Sequence, residues 1–128
     1  MQLKAMLVLA AFAIGITEGG AQSPAPNTCF PLNEMRAWKA ADNKTLYIRV
    51  SADQYYRLDL VPSCPMLTFP TSHLITRTRG SDLICSAVDW DLSVSEGPPA
   101  AMPSPCIVKQ MTLLTPEQAA AIPKKFKP

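Results

Sequence analysis

Four cysteines, Cys29, Cys64, Cys85 and Cys106, restrict the folds open to this chain more than any other feature of its sequence. Their number is even, and all of them follow an N-terminal segment that has the pattern of a secretory signal. Exported chains fold in oxidising compartments, where such cysteines pair as disulfides and seldom persist as thiols. We therefore expect two disulfides to cross-link one small domain.

The N-terminal segment has the three parts of a secretory signal peptide. Lys4 supplies positive charge, residues 5–16 form an apolar stretch, and small residues at 19–21 provide a cleavage site. The apolar stretch is shorter than the roughly 20 residues that span a bilayer. We therefore predict a signal peptide over residues 1–21, a disordered leader over 22–28, a periplasmic or secreted product, and no transmembrane segment in the mature chain.

Residues 45–50 and 55–60 alternate apolar and polar side chains, a pattern typical of half-buried strands. In "TLYIRV", Leu46, Ile48 and Val50 would share one face. In "YYRLDL", every second residue is again apolar. The connector "SADQ" is short, so an antiparallel hairpin is expected.

Weaker patterns complete an all-β fold, a small six-stranded antiparallel barrel or sandwich. The other predicted strands cover residues 29–38, 74–79, 82–94 and 106–114, with a two-residue turn at Gly80 and Ser81. After the last strand, "TPEQAAAIP" predicts a short C-terminal helix with Thr115 as N-cap and Gln118 in a capping box. The predicted disulfide-bonded domain spans residues 29–122, and a basic tail follows over 123–128.

The disulfide pairing stays open at this point because four cysteines allow three connectivities. Our hypothesis joins Cys29 with Cys106 and Cys64 with Cys85. The first of these bridges would tie the start of the first strand to the start of the last strand, and so hold the ends of the barrel together.

The charge distribution argues against a nucleic-acid partner. The formal net charge is +2, and three of the lysines lie in the tail over residues 123–128. The rest of the domain lacks the basic excess that holds a phosphate backbone. We expect no nucleic acid to bind, and we expect the tail to be a solvated terminus.

A series of short motifs resembles a known family. In chain order the motifs are "CFPLNEMRAW", "KTLYIRV", "YYRLDLVPSCPML", "SDLICSAVDWDLSV" and "PCIVKQMTLLTPEQAAAI". The series is similar, over residues 29–122, to a family of small exported proteins of Gram-negative bacteria classed only as a domain of unknown function. In that family four cysteines head or end strands, which implies the same compartment and cysteine framework here. The family has no established activity, so the resemblance implies no catalytic residue.

Cys85 is the first candidate for a chemical site, and its context argues against one. A catalytic thiol needs a base within hydrogen-bonding distance, and the single histidine is His73. In the predicted hairpin Cys85 would face Thr76. His73 would face Val88, which places it about 10 Å from Cys85 along the ladder. We therefore expect Cys85 to be a disulfide cysteine.

Asp89 and Asp91 are the second candidate, because two carboxylates on one face can act as an acid and a base. Both would project from one face of the predicted strand over residues 82–94, with apolar neighbours on the opposite face. A solvated face is the simpler interpretation, since one short strand provides no cleft. A small periplasmic enzyme that uses this carboxylate face is the alternative function.

The loop after the 55–60 strand holds the best candidate for partner binding. Prolines hold Pro65, Met66, Leu67 and Phe69 in place, and Cys64 tethers them. Rigid apolar loops bind partners at a low cost in conformational entropy. The other interpretation is that Leu67 and Phe69 cap the core.

No motif indicates a cofactor, a metal ion or a catalytic group. Closely spaced cysteine or histidine pairs are absent from the sequence, and only Gly80 and Gly97 follow the predicted signal peptide. Zinc sites and phosphate-binding loops need such pairs and several glycines, respectively. We expect a monomeric, non-enzymatic module of the cell envelope that is structural or binds an unknown protein partner.

Overall fold

The structure is a computed structural model, and it describes residues 29–97 and 102–128. The predicted signal peptide, the predicted leader and residues 98–101 lie outside the described residues. The described part forms nine strands and one α-helix. In chain order these are β1 (Phe30–Pro31), β2 (Met35–Ala40), β3 (Thr45–Val50), β4 (Gln54–Leu60), β5 (Ser72–Thr78), β6 (Leu83–Ile84), β7 (Trp90–Glu96), β8 (Ser104–Cys106), β9 (Val108–Leu113) and α1 (Pro116–Ala120).

The strands form antiparallel sheets. One sheet has the order β2, β3, β4, β9, a second has the order β5, β7, β8, and β1 pairs with β6. Two disulfides and one short C-terminal helix complete the domain. The predicted fold class, mainly β with a short terminal helix and two disulfides, is therefore confirmed.

β8 and β9 are two parts of one segment that changes sheet at Ile107. Before the change, Cys106 lies opposite Leu92 of β7. After the change, Val108 lies opposite Leu60 of β4. This corner joins the two larger sheets around a shared interior.

The β3–β4 hairpin is confirmed, and it lies at the centre of the core. Leu46, Ile48 and Val50 of β3 are fully buried, as their period of two predicts. Thr45 lies opposite Asp59, and the register continues without a break to the end of β3. Each buried aliphatic side chain contributes about 1.5–3 kcal/mol relative to its exposed state. The hairpin is therefore a main source of the folding free energy.

Both larger sheets contribute to one hydrophobic core. The ring centroid of Phe30 lies 5.0 Å from that of Tyr56 and 6.1 Å from that of Trp90, so the aromatic side chains form a cluster. The Trp90 indole N–H lies 3.4 Å from the sulfur of Met111. The buried members of the core are Phe30, Leu46, Ile48, Val50, Tyr56, Leu58, Leu60, Cys64, Leu67, Ile84, Trp90, Leu92, Val94, Cys106 and Val108.

The C-terminal helix forms as predicted. The Gln118 N–H donates to Thr115 Oγ1 at 3.2 Å, and the Thr115 N–H donates to Gln118 Oε1 at 2.9 Å. This capping box satisfies backbone donors that a helix start leaves unpaired. A 3-10 turn, Lys124–Phe126, follows the helix, and Phe126 is half-buried. The terminus thus packs on the domain, where the sequence predicted a solvated tail.

The predicted continuous strand over residues 82–94 is wrong, because a 3-10 turn, Ala87–Asp89, interrupts it. Asp89 Oδ2 accepts hydrogen bonds from the N–H of Cys85 at 2.8 Å and from the N–H of Ser86 at 2.9 Å. Such local bonds compete with a strand ladder for the same backbone groups. The ladder with β5 therefore begins only where β7 begins.

The predicted two-residue turn at Gly80 is also wrong. Residues 79–89 connect β5 to β7 and contain β6. His73 lies opposite Ser95 in the β5–β7 ladder. Cys85 lies in the connection, outside this ladder, so it has no register position facing β5.

The predicted disulfides Cys29–Cys106 and Cys64–Cys85 are wrong, and the observed pairs are Cys29–Cys85 and Cys64–Cys106. The predicted first strand divides into β1 and β2, and β1 pairs with β6. This pairing places Cys29 beside Cys85. Cys64 lies in the loop from β4 to β5, where it meets the corner that carries Cys106.

Candidate binding site

The two larger sheets would form a continuous wall but for one gap. Hydrogen-bonded neighbours lead from β2 through β3, β4 and β9 to the corner, and then through β8 and β7 to β5. In the described residues no ladder joins β5 back to β2. The Cα atoms of these two strands lie mostly more than 8 Å apart, whereas paired strands lie about 5 Å apart. We call this gap between β2 and β5 the seam.

The backbone of β2 directs hydrogen-bonding groups into the seam. The Ala41 N–H donates to the Thr45 carbonyl at 2.9 Å, which marks a hydrogen-bonded pair of the β2–β3 ladder. Such pairs alternate with pairs whose N–H and C=O groups point away from the partner strand. Trp38 and Ala40 occupy these alternate positions, so their backbone groups face the seam.

β5 directs hydrogen-bonding groups into the seam from the opposite side. The Arg79 N–H donates to the Asp89 carbonyl at 3.0 Å. This bond lies directly beyond the last pair of the β5–β7 ladder, Thr78 opposite Trp90, and sets the alternation of hydrogen-bonded pairs along it. The same alternation turns the backbone groups of Leu74 and Thr76 away from β7. Two strand edges therefore face each other, and no ladder joins them within the described part of the chain.

Two cavities open along the seam and share Trp38. The narrow cavity measures about 190 Å³ and is lined from both strands, by Trp38 of β2 and by Leu74 and Thr76 of β5. The wider cavity measures about 420 Å³, and we call it the loop cleft. The lining side chains that define the loop cleft below are Trp38, Lys39, Phe69, Pro70, Lys125 and Phe126.

The loop from β4 to β5 forms one wall of the loop cleft and divides the residues predicted to bind a partner. Leu67 is 1% exposed and belongs to the core, while Met66 is half-buried against it. Phe69 is 45% exposed, and Pro65 is also exposed. The Ser72 N–H donates to the Phe69 carbonyl at 3.0 Å and fixes the end of the loop. Leu67 thus caps the core, and Phe69 is presented to the cleft.

The C-terminal turn forms another wall. The ammonium nitrogen of Lys125 lies 4.8 Å from the ring centroid of Phe126. The ammonium nitrogen of Lys127 lies 5.4 Å from the ring centroid of Tyr55 on β4. Cation–π contacts at exposed sites contribute about 0.5–1 kcal/mol each. These contacts help to hold the terminus on the outside of the sheet.

The charged side chains along the seam are positive. Lys39 and Lys125 line the loop cleft, Arg36 lines the narrow cavity, and no carboxylate joins them among the described lining residues. Glu96, at the end of β7, accepts a hydrogen bond from the Thr71 hydroxyl at 3.3 Å and does not line the cleft. The site therefore combines apolar walls with a positive rim.

A further cavity of about 460 Å³ lies away from the seam, at the turn that follows β1. Its described lining residues are Pro31, Leu32, Asn33 and Asp82. A single carboxylate and one amide offer little to fix the orientation of a ligand. The seam has the better-defined chemistry.

The predicted carboxylate face is wrong, because Asp89 and Asp91 do not share a strand. Asp89 lies in the 3-10 turn and binds two backbone N–H groups, whereas Asp91 lies in β7 opposite Arg77. Cys85 forms a disulfide, and His73 is exposed on β5. No group of three or more His, Cys, Asp and Glu side chains in the described residues could hold a metal ion.

The sequence did not predict that Trp38, Phe126 and the lysines beside them would form part of a site. In both "AWK" and "KFK" an aromatic residue adjoins a lysine. Neither pattern shows that the second strand and the terminus meet, because pairing order brings distant segments together. The signal was present locally and became informative only in the fold.

The disulfides indicate an oxidising, extracytoplasmic compartment. Within residues 29–97 and 102–128, no helix combines the length and the apolar character that a membrane crossing requires.

Comparison with known proteins gives a family match. The model of a family described as "Family of unknown function (DUF6491)" matches residues 2–126, nearly the whole chain. No curated protein and no solved structure matches.

Proposed function

Because this chain belongs to the family of unknown function DUF6491, membership brings no activity with it, and we propose a function from the seam. The domain is an exported, non-enzymatic binding module that holds a segment of a cell-envelope partner in the loop cleft. The observation that supports this proposal is a cavity of about 420 Å³ with aromatic walls and, among its described lining residues, only positive charges.

The walls of the loop cleft suit recognition because they are held before a partner arrives. Trp38, Phe69 and Phe126 come from β2, from the loop after β4 and from the C-terminal turn. The Cys64–Cys106 disulfide tethers the loop to the corner between the sheets. Walls fixed in advance reduce the entropy lost on binding, and aromatic side chains dominate binding energy at interfaces.

Placement in the periplasm is part of the proposal. Its support is the pair of disulfides and the signal-peptide pattern over residues 1–21. Intact mass after export, with an alkylating reagent, should give a chain that starts at residue 22 and takes up no alkyl group. A retained N-terminal segment or alkylated cysteines would contradict this placement.

Photo-crosslinking in living cells tests partner binding. A photoreactive amino acid replaces Phe69, which lines the loop cleft, and in a matched variant it replaces Val88. Val88 is 77% exposed on the 3-10 turn and lines neither cavity of the seam. A discrete product from position 69 and none from position 88 is expected.

Charge reversal makes the test specific for the loop cleft. Lys39→Glu combined with Lys125→Glu should reduce the product from position 69, because both lysines lie on the rim. Lys109→Glu on β9 changes an exposed lysine that does not line the cleft and should leave the product unchanged. Equal products from positions 69 and 88, or none from either, would argue against the proposed function.

A further inference from the structure

We propose that the bound partner segment enters the seam as an extra β-strand between β2 and β5, and that its outward side chains are acidic. This specifies the shape and the charge of the partner segment and rests on the proposed function. The width of the seam, the direction of the backbone groups on its edges and the charge on its borders support it.

The width of the seam suits one inserted strand. Neighbouring strands lie about 4.8 Å apart, so two strands that flank a third lie about 10 Å apart. β2 and β5 lie mostly beyond 8 Å, which is too far for direct pairing. Both strands nevertheless line the same narrow cavity, so the gap stays small. A single strand would fill it and complete the wall.

Both edges turn backbone hydrogen-bonding groups toward this space. Trp38 and Ala40 contribute theirs from β2, and Leu74 and Thr76 contribute theirs from β5. An extended peptide can pair with such an edge through its main chain, which gives affinity without a strict sequence requirement. A strand in the seam would pair on both of its edges.

The outer borders of the seam are basic on both sides. Arg36 and Lys39 are exposed on β2, and Arg77 is exposed on β5. Asp91 of β7 lies opposite Arg77, but no ion pair within 4.0 Å joins them. Positive charge on these borders attracts carboxylates on the partner.

The interior of the seam is apolar, so the inward side chains of an inserted strand should be apolar. Trp38 and Leu74 pack against the core from β2 and β5 and are only partly buried. Side chains of an inserted strand would point alternately toward this interior and toward the basic borders. The partner segment should therefore alternate apolar and acidic residues.

A second copy of this chain is a poorer occupant. If β2 of one copy paired with β2 of another, Arg36 and Lys39 of both copies would gather at one edge. Like charges placed across strands destabilise the pairing. An acidic segment meets the same edge with the opposite charge.

The first test adds a capped peptide that alternates valine and glutamate to the oxidised domain. Amide hydrogen exchange, followed by NMR, reports each backbone N–H. In the free domain the amides of Trp38, Ala40, Leu74 and Thr76 should exchange faster than the amide of Lys39, which lies at a paired position of β2. With the peptide, the exchange of these four amides should slow by about tenfold or more.

Two altered peptides separate strand pairing from attraction by charge. Replacing every glutamate by lysine reverses the charge and should raise Kd by about tenfold or more. Methylating the valine backbone nitrogens removes donors on one edge and leaves the charge unchanged. It should raise Kd by a similar factor of about ten if the peptide pairs as a strand.

A protein variant tests the same edge from the other side. Ala40→Pro removes an N–H that faces the seam and leaves the β2–β3 ladder its donors. It should raise Kd by about tenfold while thermal unfolding stays cooperative. Should this variant fail to fold, the methylated peptide still decides the question.

Equal binding of the three peptides, or protected seam amides in the free domain, would overturn strand insertion. A dimer whose seam amides are protected would do so in favour of a second copy. If a photoreactive residue at position 69 crosslinks to a partner and one of these results is also found, strand insertion is wrong and the proposed function stands. Peptide protection without any crosslinked partner would overturn the proposed partner and leave the seam able to bind a strand.

Discussion

The strands of the β3–β4 hairpin and the strands that border the seam differ in their pairing. Within the described residues β3 and β4 each pair along both edges, whereas β2 pairs along one edge and leaves the other facing the seam. β3 pairs with β2 along one edge and with β4 along the other. Its inward side chains, Leu46, Ile48 and Val50, are 0% exposed. Trp38 and Ala40 lie on β2, which within residues 29–97 and 102–128 pairs along one edge, and both are only half-buried.

Under the proposed function, this difference separates the residues that stabilise the fold from those that bind a partner. A strand with two partners excludes water from its inner face, and its side chains contribute their full burial to stability. A strand with one partner keeps backbone groups and apolar surface available for another chain. Substitutions in the hairpin should therefore act on folding, and substitutions along the seam should act on binding.

Replacing one leucine in each region compares them directly. Leu58→Ala in β4 leaves a cavity at a fully buried site and should lower the free energy of unfolding by about 3–4 kcal/mol. Leu74→Ala in β5 acts at a partly buried site and should cost about 1 kcal/mol. Urea unfolding measures both. Equal losses would mean that the seam is packed as tightly as the hairpin.

The two disulfides provide a second comparison. Cys64 and Cys106 are 2% and 5% exposed, whereas Cys29 and Cys85 are exposed. The chain separations, 42 and 56 residues, are similar, so loop closure should contribute about 3–4 kcal/mol for either bridge. Replacing the buried pair by alanine also removes packed sulfur from the core, and should cost about 1 kcal/mol more than replacing the exposed pair.

Thermal and urea unfolding of the two double variants measure this difference. Greater destabilisation from loss of the exposed pair would indicate that the β1–β6 end contributes more to stability than the corner at Ile107.

Removing the cap of α1 tests whether the C-terminal segment contributes to stability, as the hairpin does, or to binding, as the seam is proposed to do. Thr115→Ala removes a side chain that caps α1 and should lower the free energy of unfolding by about 1 kcal/mol. Because α1 leads to Phe126 in the loop cleft, the variant should also bind the valine–glutamate peptide more weakly. Lys109→Ala, at an exposed position of β9, should change stability by less than about 0.5 kcal/mol. Titration calorimetry measures the affinity for the peptide, and urea unfolding measures the free energy of unfolding. A change in only one of these quantities would contradict the expected double effect.

The smallest expected change in stability concerns the hydroxyl of Tyr56, which is buried in the hairpin, and it is seen only at alkaline pH. Burial raises the pKa of its hydroxyl above the usual value of 10.0. Above pH 10 the unfolded chain loses this proton while the folded domain keeps it, so the free energy of unfolding should fall as pH rises. Urea unfolding between neutral pH and alkaline pH should show a shallower fall in Tyr56→Phe. Parallel pH profiles would remove Tyr56 as the cause.

Local patterns in the sequence predicted the hairpin and the helix because both depend on neighbouring residues. Period-two alternation in "TLYIRV" and "YYRLDL" specifies which side chains enter the core. Thr115 and Gln118 form their capping box within one turn of helix. The 82–94 segment failed for an equally local reason, since Asp89 binds the backbone of Cys85 and Ser86.

The disulfide pairing and the seam depend on the order of strands in the sheets, which no short pattern contains. Cys29 meets Cys85 because β1 pairs with β6. Phe69 was identified from its loop, whereas Trp38 and Phe126 line the loop cleft only because β2, the loop and the terminus come together. An edge without a partner is a property of the whole sheet.

The change of sheet at Ile107 also sets an order of events in time. Synthesis proceeds from the N-terminus, so β4 and β7 are complete before the single segment that pairs with both of them is made. Until β8 and β9 emerge, neither sheet has its shared strand, and the interior stays open to water. The two larger sheets can therefore be joined only after residues up to β9 have been made, although the β3–β4 hairpin needs no later segment.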